Sequence, residues 1–193
     1  MARKEDLRFV RTNRKLYETF YELIESALIE DLSITDICDA AKINRATFYK
    51  HFNDKKEFVF YCIAQKVKEI RLERSGREFV NMDNLHEDTI HEIYAFLRFM
   101  TKVNAKNLDP DTNTIRLIYD GLMVFYFREF VVYYTKILQY KSEDASVMAA
   151  YRVGSLLSIA FYALMQGEDR ISESEAAKVT DGFAAKMKDF EKQ

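Results

Sequence analysis

Hydrophobic side chains recur every three or four positions along the first part of the chain, which is the spacing of an amphipathic α-helix. The first such segment runs from Asn13 to Leu28. Ser33, followed three residues later by Asp36, has the form of a capping box and predicts a short second helix. Asn44 is a suitable N-cap for a third helix, from Arg45 to about Phe52. The second and third helices have the outline of a helix-turn-helix unit.

Longer amphipathic segments follow, and most of them begin at a residue that can cap a helix. Asp54 opens a fourth helix, which is expected to end near Ser75 and Gly76 at the first candidate boundary. Pro110 suits the first position of a helix, where its missing N–H costs nothing. Further helices are predicted from Asn84, over about 111–139 with an interruption at Asp120 and Gly121, over about 142–166, and from Ser172.

Composition supports an all-α fold with about nine helices. The 193 residues are 48% hydrophobic and 31% charged, an ordinary balance for a soluble protein, and 5 Gly and 1 Pro are too few for the many turns of a β-sandwich or barrel. The charged first residues do not form a signal peptide, and the apolar stretch from Leu117 to Tyr134 contains three charges that argue against a membrane span. A soluble, cytoplasmic protein is expected.

Charge is distributed unevenly, although the net charge is only −2. Residues 1–15 contain six basic and two acidic residues, residues 16–41 contain seven acidic residues and no Lys or Arg, and residues 42–56 contain five basic residues and one acidic residue. Two basic segments therefore flank an acidic one. This pattern is compatible with a solvated surface, and it indicates a polyanionic partner only if the fold brings the basic segments together.

The third predicted helix has two chemically different faces. Phe48 and Phe52 are four residues apart and are expected to point inward. The remaining side chains suit a DNA duplex, because Arg can bind guanine edges, Thr can contact a base methyl group, and Tyr, Lys and His can hold phosphates. The outward-facing residues are Arg45, Thr47, Tyr49, Lys50 and His51.

The segment from Ser33 to Phe58 reads SITDICDAAKINRATFYKHFNDKKEF. It resembles the DNA-binding segment of the tetracycline-repressor (TetR) family of bacterial transcription regulators. The matching pattern is a hydroxyl-capped helix, a small residue before the turn, T-[FL]-Y-x-[HY]-F, and a Lys at the start of the fourth helix. Lys42 departs from it, since the family usually has Gly in the turn; a basic residue there can also reach the DNA backbone. Together with the helix caps, the resemblance implies DNA contact through Ser33, Thr35, Lys42, Asn44, Arg45, Thr47, Tyr49, Lys50, His51 and Lys55.

The resemblance also implies two units: residues 1–56 as the helix-turn-helix DNA-binding domain, and residues 57–193 as a helical domain that binds an effector and dimerises. Candidate ligand-binding residues are Phe96, Met100, Tyr119, Met123, Tyr126 and Phe127, although aromatic residues at helical spacing also suit a plain core. Candidate dimer-interface residues include a stripe of small residues every four positions; they are Ala150, Gly154, Ser158, Ile159, Tyr162, Phe183 and Phe190.

The predicted function is that of a homodimeric repressor, released from a palindromic double-stranded DNA operator by a small-molecule effector. Two alternatives stay open: a DNA-binding chromosome-organising factor without an effector, and a coactivator-type relative that acts through a protein partner. No catalytic motif, cofactor or membrane partner is predicted. His86 and His91 are five residues apart, which does not suit metal ligands on one helix face, so no metal site is predicted.

Overall fold

The computed structural model describes residues 4–76, 85–166, 172–176 and 178–179. Within these ranges the chain is helical and has no strand, which confirms the all-α prediction. A short 3-10 segment, Ala105–Leu108, follows the fifth helix, and a π-helical segment, Tyr133–Ile137, follows the sixth. The α-helices are α1 (Lys4–Ile24), α2 (Ile34–Ala41), α3 (Arg45–Tyr49), α4 (Lys55–Ser75), α5 (Leu85–Asn104), α6 (Asn113–Val132) and α7 (Ser142–Gln166).

Local capping chemistry fixes the ends of the N-terminal helices where the sequence predicts them. The Ser33 hydroxyl accepts a hydrogen bond from the Asp36 backbone N–H, and the Asp36 carboxylate accepts one from the Ser33 N–H, which completes the capping box of α2. Asn44 accepts from the Thr47 N–H at 2.7 Å to cap α3. Asp54 caps α4 in the same way, and a left-handed Gly76 ends that helix.

Two helix bounds differ from the prediction. α1 begins at Lys4, well before the predicted Asn13, and ends at Ile24 rather than Leu28. Its additional N-terminal turns carry mostly exposed side chains, so they have no hydrophobic stripe by which the sequence could show them. α3 ends at Tyr49 instead of Phe52, because Lys50 and the residues after it form a turn that leads into α4.

Lys42 adopts the left-handed conformation, with φ 53° and ψ 45°, at the turn between α2 and α3. The turn needs this conformation because the Lys42 N–H donates back to carbonyls in the last turn of α2. A side chain at this position costs about 1 kcal/mol relative to glycine. Lys42 therefore carries a strain that the usual glycine of the TetR pattern avoids.

We expect Lys42→Gly to stabilise the fold by about 1 kcal/mol, because glycine adopts positive φ without a steric penalty. The melting temperature should rise by about 2–4 °C for a chain of this size, as measured by circular dichroism. Glu25→Gly is the control. Glu25 is exposed, lies just after α1 and has no positive φ, so this substitution should not raise the melting temperature. An unchanged or lower melting temperature for Lys42→Gly would contradict the strain at this turn.

Two features of the sixth helix were predicted wrongly. Pro110 lies in a turn before α6, where the Asp109 carboxylate accepts from the Asp111 N–H, and not at the first helical position. Gly121 does not interrupt α6. A Cβ atom there would lie 2.6 Å from Cδ1 of Ile63, so the glycine permits close packing of α6 against α4.

α7 packs into the core against α5 and α6. By length and composition alone α7 could cross a membrane. One of its faces is buried against other helices, however, and this face includes Val153, Leu156 and Phe161. That is the environment of a core helix. After α7, Ser172 and Glu175 form a capping box as predicted. Phe183 and Phe190 lie outside the described residues.

Candidate nucleic-acid interface

α2 and α3 separate a buried apolar face from an exposed polar one. Phe48 is fully buried and Phe52 nearly so, where both contact Phe58 of α4. The predicted inward direction of both phenylalanines is therefore correct. Of the predicted DNA-contacting residues, Thr47, His51 and Lys55 are half-buried, and the exposed ones are Ser33, Thr35, Lys42, Asn44, Arg45, Tyr49 and Lys50.

The start of α3 exposes side chains that the sequence analysis assigns to base recognition. Arg45 is the first residue of α3, and recognition helices contact base edges from their N-terminal residues. Asn44 uses its side-chain oxygen for the cap, so its amide NH2 group is directed away from that bond and can donate to a phosphate. Tyr49 and Lys50, one turn further on, are exposed, and their contact with the DNA backbone stays a prediction.

His51 connects α3 to α1. Its Nδ1 atom lies 2.6 Å from Oδ1 of Asn13, so Nδ1 carries the ring proton because an amide oxygen can only accept. The ring also stacks on Phe9 at 3.9 Å, and burial lowers the pKa of His51, which keeps the ring neutral near pH 7. A neutral ring protonated on Nδ1 has no N–H left for a phosphate. This geometry favours a positioning role for His51 rather than the predicted DNA contact.

The same contact brings the two basic segments of the sequence side by side. Phe9 and Asn13 belong to the first basic segment, and His51 belongs to the second. Because His51 contacts both of them, α1 passes next to α3. The exposed cations on this part of α1 are Arg8, Arg11, Arg14 and Lys15. Proximity of the two segments is the condition under which the charge pattern indicates a polyanion.

Lys55 differs most from its predicted role. Its Nζ atom donates to the backbone carbonyls of Ile29, Glu30 and Leu32 at 3.1, 2.8 and 2.7 Å, which uses all three of its N–H donors. Burial lowers the pKa of Lys55, partly opposed by nearby carboxylates. We therefore correct the predicted phosphate contact: Lys55 holds the loop between α1 and α2 against the start of α4.

The other side of this loop is held by residues that the sequence analysis did not select. Asn107, fully buried, accepts from the Ile29 N–H at 2.9 Å and donates to carbonyls at the end of α1. The Thr114 hydroxyl accepts from the Glu30 N–H, and Asn104 donates to the same two carbonyls as Asn107, those of Ile24 and Ala27. We call Asn104, Asn107 and Thr114 the loop clamp. It joins the helix-turn-helix unit to the connection between α5 and α6.

A buried ion cluster lies farther along α4. The Arg71 guanidinium forms paired hydrogen bonds of 2.7 and 2.8 Å with Glu92 of α5 and again with Glu129 of α6. Tyr126 donates to Glu92 at 3.1 Å. Arg71 and Glu92 are almost fully buried, and burial raises the pKa of Glu92 although Arg71 opposes that shift. This Arg71 cluster links the three helices by charge-assisted bonds.

The predicted ligand-binding residues lie apart from the groove that the structure shows between α4 and α6. Phe96, Met100 and Tyr126 are fully buried in the core, and Tyr119 packs edge-on against Phe161. Met123 and Phe127 are half-buried. A groove of about 810 Å³ instead runs between α4 and α6, and none of the six residues belongs to its lining. Their role in ligand binding stays a prediction.

The predicted dimer residues on α7 lie on its outward side. Ala150, Ser158 and Tyr162 are exposed, and Gly154 and Ile159 are half-buried. Large apolar neighbours are exposed on the same helix: Val147 at 68%, Met165 at 53% and Tyr151 at 38%.

These observations define an all-α protein with a helix-turn-helix unit near its N-terminus. Residues 21–62 match the family model described as "Bacterial regulatory proteins, tetR family". This segment is therefore similar to the DNA-binding segment of TetR-family regulators, which confirms the resemblance seen in the sequence. The family match spans the end of α1, all of α2 and α3, and the start of α4.

Solved structures with the same fold extend the likeness over nearly the whole chain. Lin0861 from Listeria innocua is 18% identical to this chain and has a TM-score of 0.61. The match covers 97% of this chain and 96% of Lin0861. AlkX from Dietzia sp. strain DQ12-45-1b, a TetR family repressor implicated in biodegradation of n-alkanes, is 16% identical, covers 91% and 97%, and has a TM-score of 0.53. At these identities the likeness establishes the fold. No curated protein matches the chain.

Proposed function

We propose that the protein is a homodimeric transcriptional repressor that leaves a palindromic operator when a small molecule binds. The observation that carries the proposal is the exposed row formed by Arg45 and Tyr49 on α3 and by Lys50 directly after it, while Phe48 is buried on the opposite side of the helix. Adjacent exposed cations on α1 add a non-specific attraction to phosphates. Such a surface binds the major groove in the cytoplasm of a bacterial cell, and no catalytic role is proposed.

The exposed stripe on α7 supports the homodimer. Val147, Tyr151, Gly154, Ser158, Tyr162 and Met165 follow one another at intervals of three or four residues, so they share one face of the helix. The small residues in the middle allow another helix to approach closely, while the aromatic and apolar ones supply area to bury. A two-fold axis at this face places two recognition helices on half-sites of a palindrome.

Ligand release requires a connection between the effector domain and α3. α4 contributes Lys55 to the loop before α2 and Arg71 to the ion cluster in the effector domain. The loop clamp provides a second connection, from the start of α6 to the same loop. A ligand that moves α4 relative to α6 would change the position of α2 and α3. The ligand must bind one of the two arrangements more tightly for the operator affinity to change.

The first test is selection of random duplexes by the purified full chain at about 150 mM salt, near physiological ionic strength. Enrichment of a palindrome with half-sites in successive major grooves supports a dimeric specific repressor. Enrichment of scattered short sites without two-fold symmetry would favour a chromosome-organising factor. Salt-sensitive background binding alone would overturn the proposal in favour of action through a protein partner.

Lys50→Ala is expected to weaken binding to all duplexes by a similar factor, because a phosphate contact carries no sequence information. Loss of one cationic contact lowers the slope of log affinity against log salt by about one unit. Fluorescence anisotropy over a range of salt concentrations measures the slope. Lys102→Ala, an exposed lysine on α5, is the control and should leave the slope unchanged. Equal slopes for both variants would contradict a phosphate contact at Lys50.

Arg45→Ala is expected to change which half-site is preferred rather than to weaken all sequences alike. A lost bidentate contact with a guanine costs about 1–3 kcal/mol at that base pair and leaves other positions unaffected. Repeating the duplex selection with this variant measures the preference at each position. If affinity falls by the same factor for every base, Arg45 contacts phosphate and its assigned role in base recognition is wrong.

A further inference from the structure

The groove between α4 and α6 has the features of a binding site. The two helices run in the same general direction, because Lys56 near the start of α4 pairs with Asp120 and Arg71 near its end pairs with Glu129. Between these pairs the helices form a half-open groove of about 810 Å³. This volume lies in the range of about 300–1,000 Å³ that is usual for small-molecule sites.

The groove walls are aromatic. Phe60 and Tyr61 of α4 and Phe125 of α6 line it, and none of these rings is fully exposed or fully buried. One end reaches the DNA-binding domain at His51 and Phe52. An aromatic molecule in this groove would therefore pack against rings from the effector domain while touching the residues that position α3.

Unpaired positive charge lies at the opposite end. Lys68 and Arg128 line the groove there, and neither forms an ion pair or hydrogen bond within the described residues. The neighbouring Glu129 already binds Arg71. At the end near the DNA-binding domain, charges are engaged: Lys56 pairs with Asp120, and Asp54 and Glu57 accept backbone hydrogen bonds.

We propose that this groove binds an aromatic carboxylate, with the anionic group at Lys68 and Arg128 and the rings between Phe60 and Phe125. Lys68 lies eight residues after Phe60 on α4, which corresponds to about 12 Å along the helix axis. A molecule with a flat body and an acidic end spans this distance and satisfies both ends of the groove. As an effector site the assignment rests on the proposed repressor function; as a binding site it does not.

The binding test compares two probes that differ only in the polar end, 1-pyrenebutyrate and the neutral 1-pyrenebutanol. The chain contains no Trp, so pyrene fluorescence reports the probe without interference from the protein. Two charge-assisted contacts should make pyrenebutyrate bind about tenfold more tightly than pyrenebutanol. Equal affinities would overturn the proposal, since they would show that the cations do not recognise the anion.

Variants locate the site. Lys68→Gln combined with Arg128→Gln should reduce the affinity for pyrenebutyrate to that of pyrenebutanol and leave pyrenebutanol unchanged. The matched control, Lys102→Gln with Arg116→Gln, removes two exposed cations from α5 and α6 outside the groove and should change neither affinity. Ala64→Phe fills the groove from α4 without adding a Trp and should weaken both probes. Equal losses in the charge variant and its control, or unaltered binding in the filled variant, would place the probe elsewhere and refute the assignment.

A separate readout distinguishes this assignment from the proposed repressor function. The operator obtained by duplex selection is titrated with protein in the presence and absence of pyrenebutyrate. Groove binding that lowers operator affinity supports both conclusions. Groove binding in a protein that selects no operator supports the site and refutes the repressor. An operator with no charge-dependent probe binding supports the repressor and refutes the site.

Discussion

Replacing Arg71 with methionine is expected to lower the free energy of unfolding by about 3–5 kcal/mol. Methionine keeps the apolar stem but removes the guanidinium that both Glu92 and Glu129 bind. Two carboxylates would then face each other across the junction of α4, α5 and α6, and Glu92 is almost fully buried. Urea unfolding followed by circular dichroism measures the loss.

Arg74→Met on the same helix is the matched control. Arg74 pairs with Asp88 near the surface, and a pair of this kind contributes less than about 1 kcal/mol. If the two variants lose equal stability, the Arg71 cluster does not carry the energy assigned to it. The triple replacement Arg71→Met, Glu92→Gln and Glu129→Gln removes all three charges and should recover part of the loss, because no buried charge is left unpaired.

The cost of Arg71→Met is also expected to depend on pH. Burial already raises the pKa of Glu92, and Arg71 is the main group that opposes this rise. Without Arg71 the pKa in the folded state rises further. A carboxyl with a raised folded pKa stabilises the fold at low pH and loses that contribution as the pH rises through the folded value. The difference in the free energy of unfolding between the variant and the wild type should therefore be smaller at pH 4.5, the ordinary pKa of Glu, than at neutral pH.

Asn107→Ala is expected to destabilise the protein by about 2–3 kcal/mol and to lower operator affinity. The substitution leaves the Ile29 N–H without its acceptor in a buried position, and an unsatisfied buried donor costs about 1–3 kcal/mol. The carbonyls of Ile24 and Ala27 also lose one of their two side-chain donors, and Asn104 remains as the other. Because the loop clamp positions the loop before α2, operator affinity of the folded variant should fall by about 1 kcal/mol, as measured by anisotropy well below the melting temperature.

Asn113→Ala is a suitable control for the loop clamp. Asn113 lies in the same connection, is exposed, and contributes only its backbone N–H to the Glu30 carboxylate, so alanine keeps that bond. It should change stability and operator affinity little. An Asn107 variant that is destabilised but binds the operator as tightly as the wild type would limit the clamp to a structural role.

Local signals account for the parts of the fold that the sequence predicts correctly. Ser33, Asn44 and Asp54 cap their helices through partners only three residues away, so the pattern is visible in any short window. Gly121 misled the prediction for the same reason. Its sequence neighbours suggest that Gly121 breaks the helix. The structure gives another reason for a glycine here, because Ile63 of α4 leaves no room for a side chain.

Long-range contacts account for what the sequence could not show. Asn107 and Ile29 are 78 residues apart, and Arg71 and Glu129 are 58 apart. No periodicity or motif connects such residues, since their proximity depends on how the helices pack. The motif assigned Lys55 to a phosphate contact, whereas its three carbonyl partners appear only when the loop before α2 is placed in space.

The loop clamp has a consequence for protein engineering. A hybrid regulator made by joining residues 1–56 to the effector domain of another protein would separate the Ile29 and Glu30 amides from Asn107 and Thr114. Such a chimera would lose part of its operator response even with an intact recognition helix. Residues 104–114 should therefore be transplanted together with the DNA-binding domain, so that the exchangeable module is discontinuous in sequence.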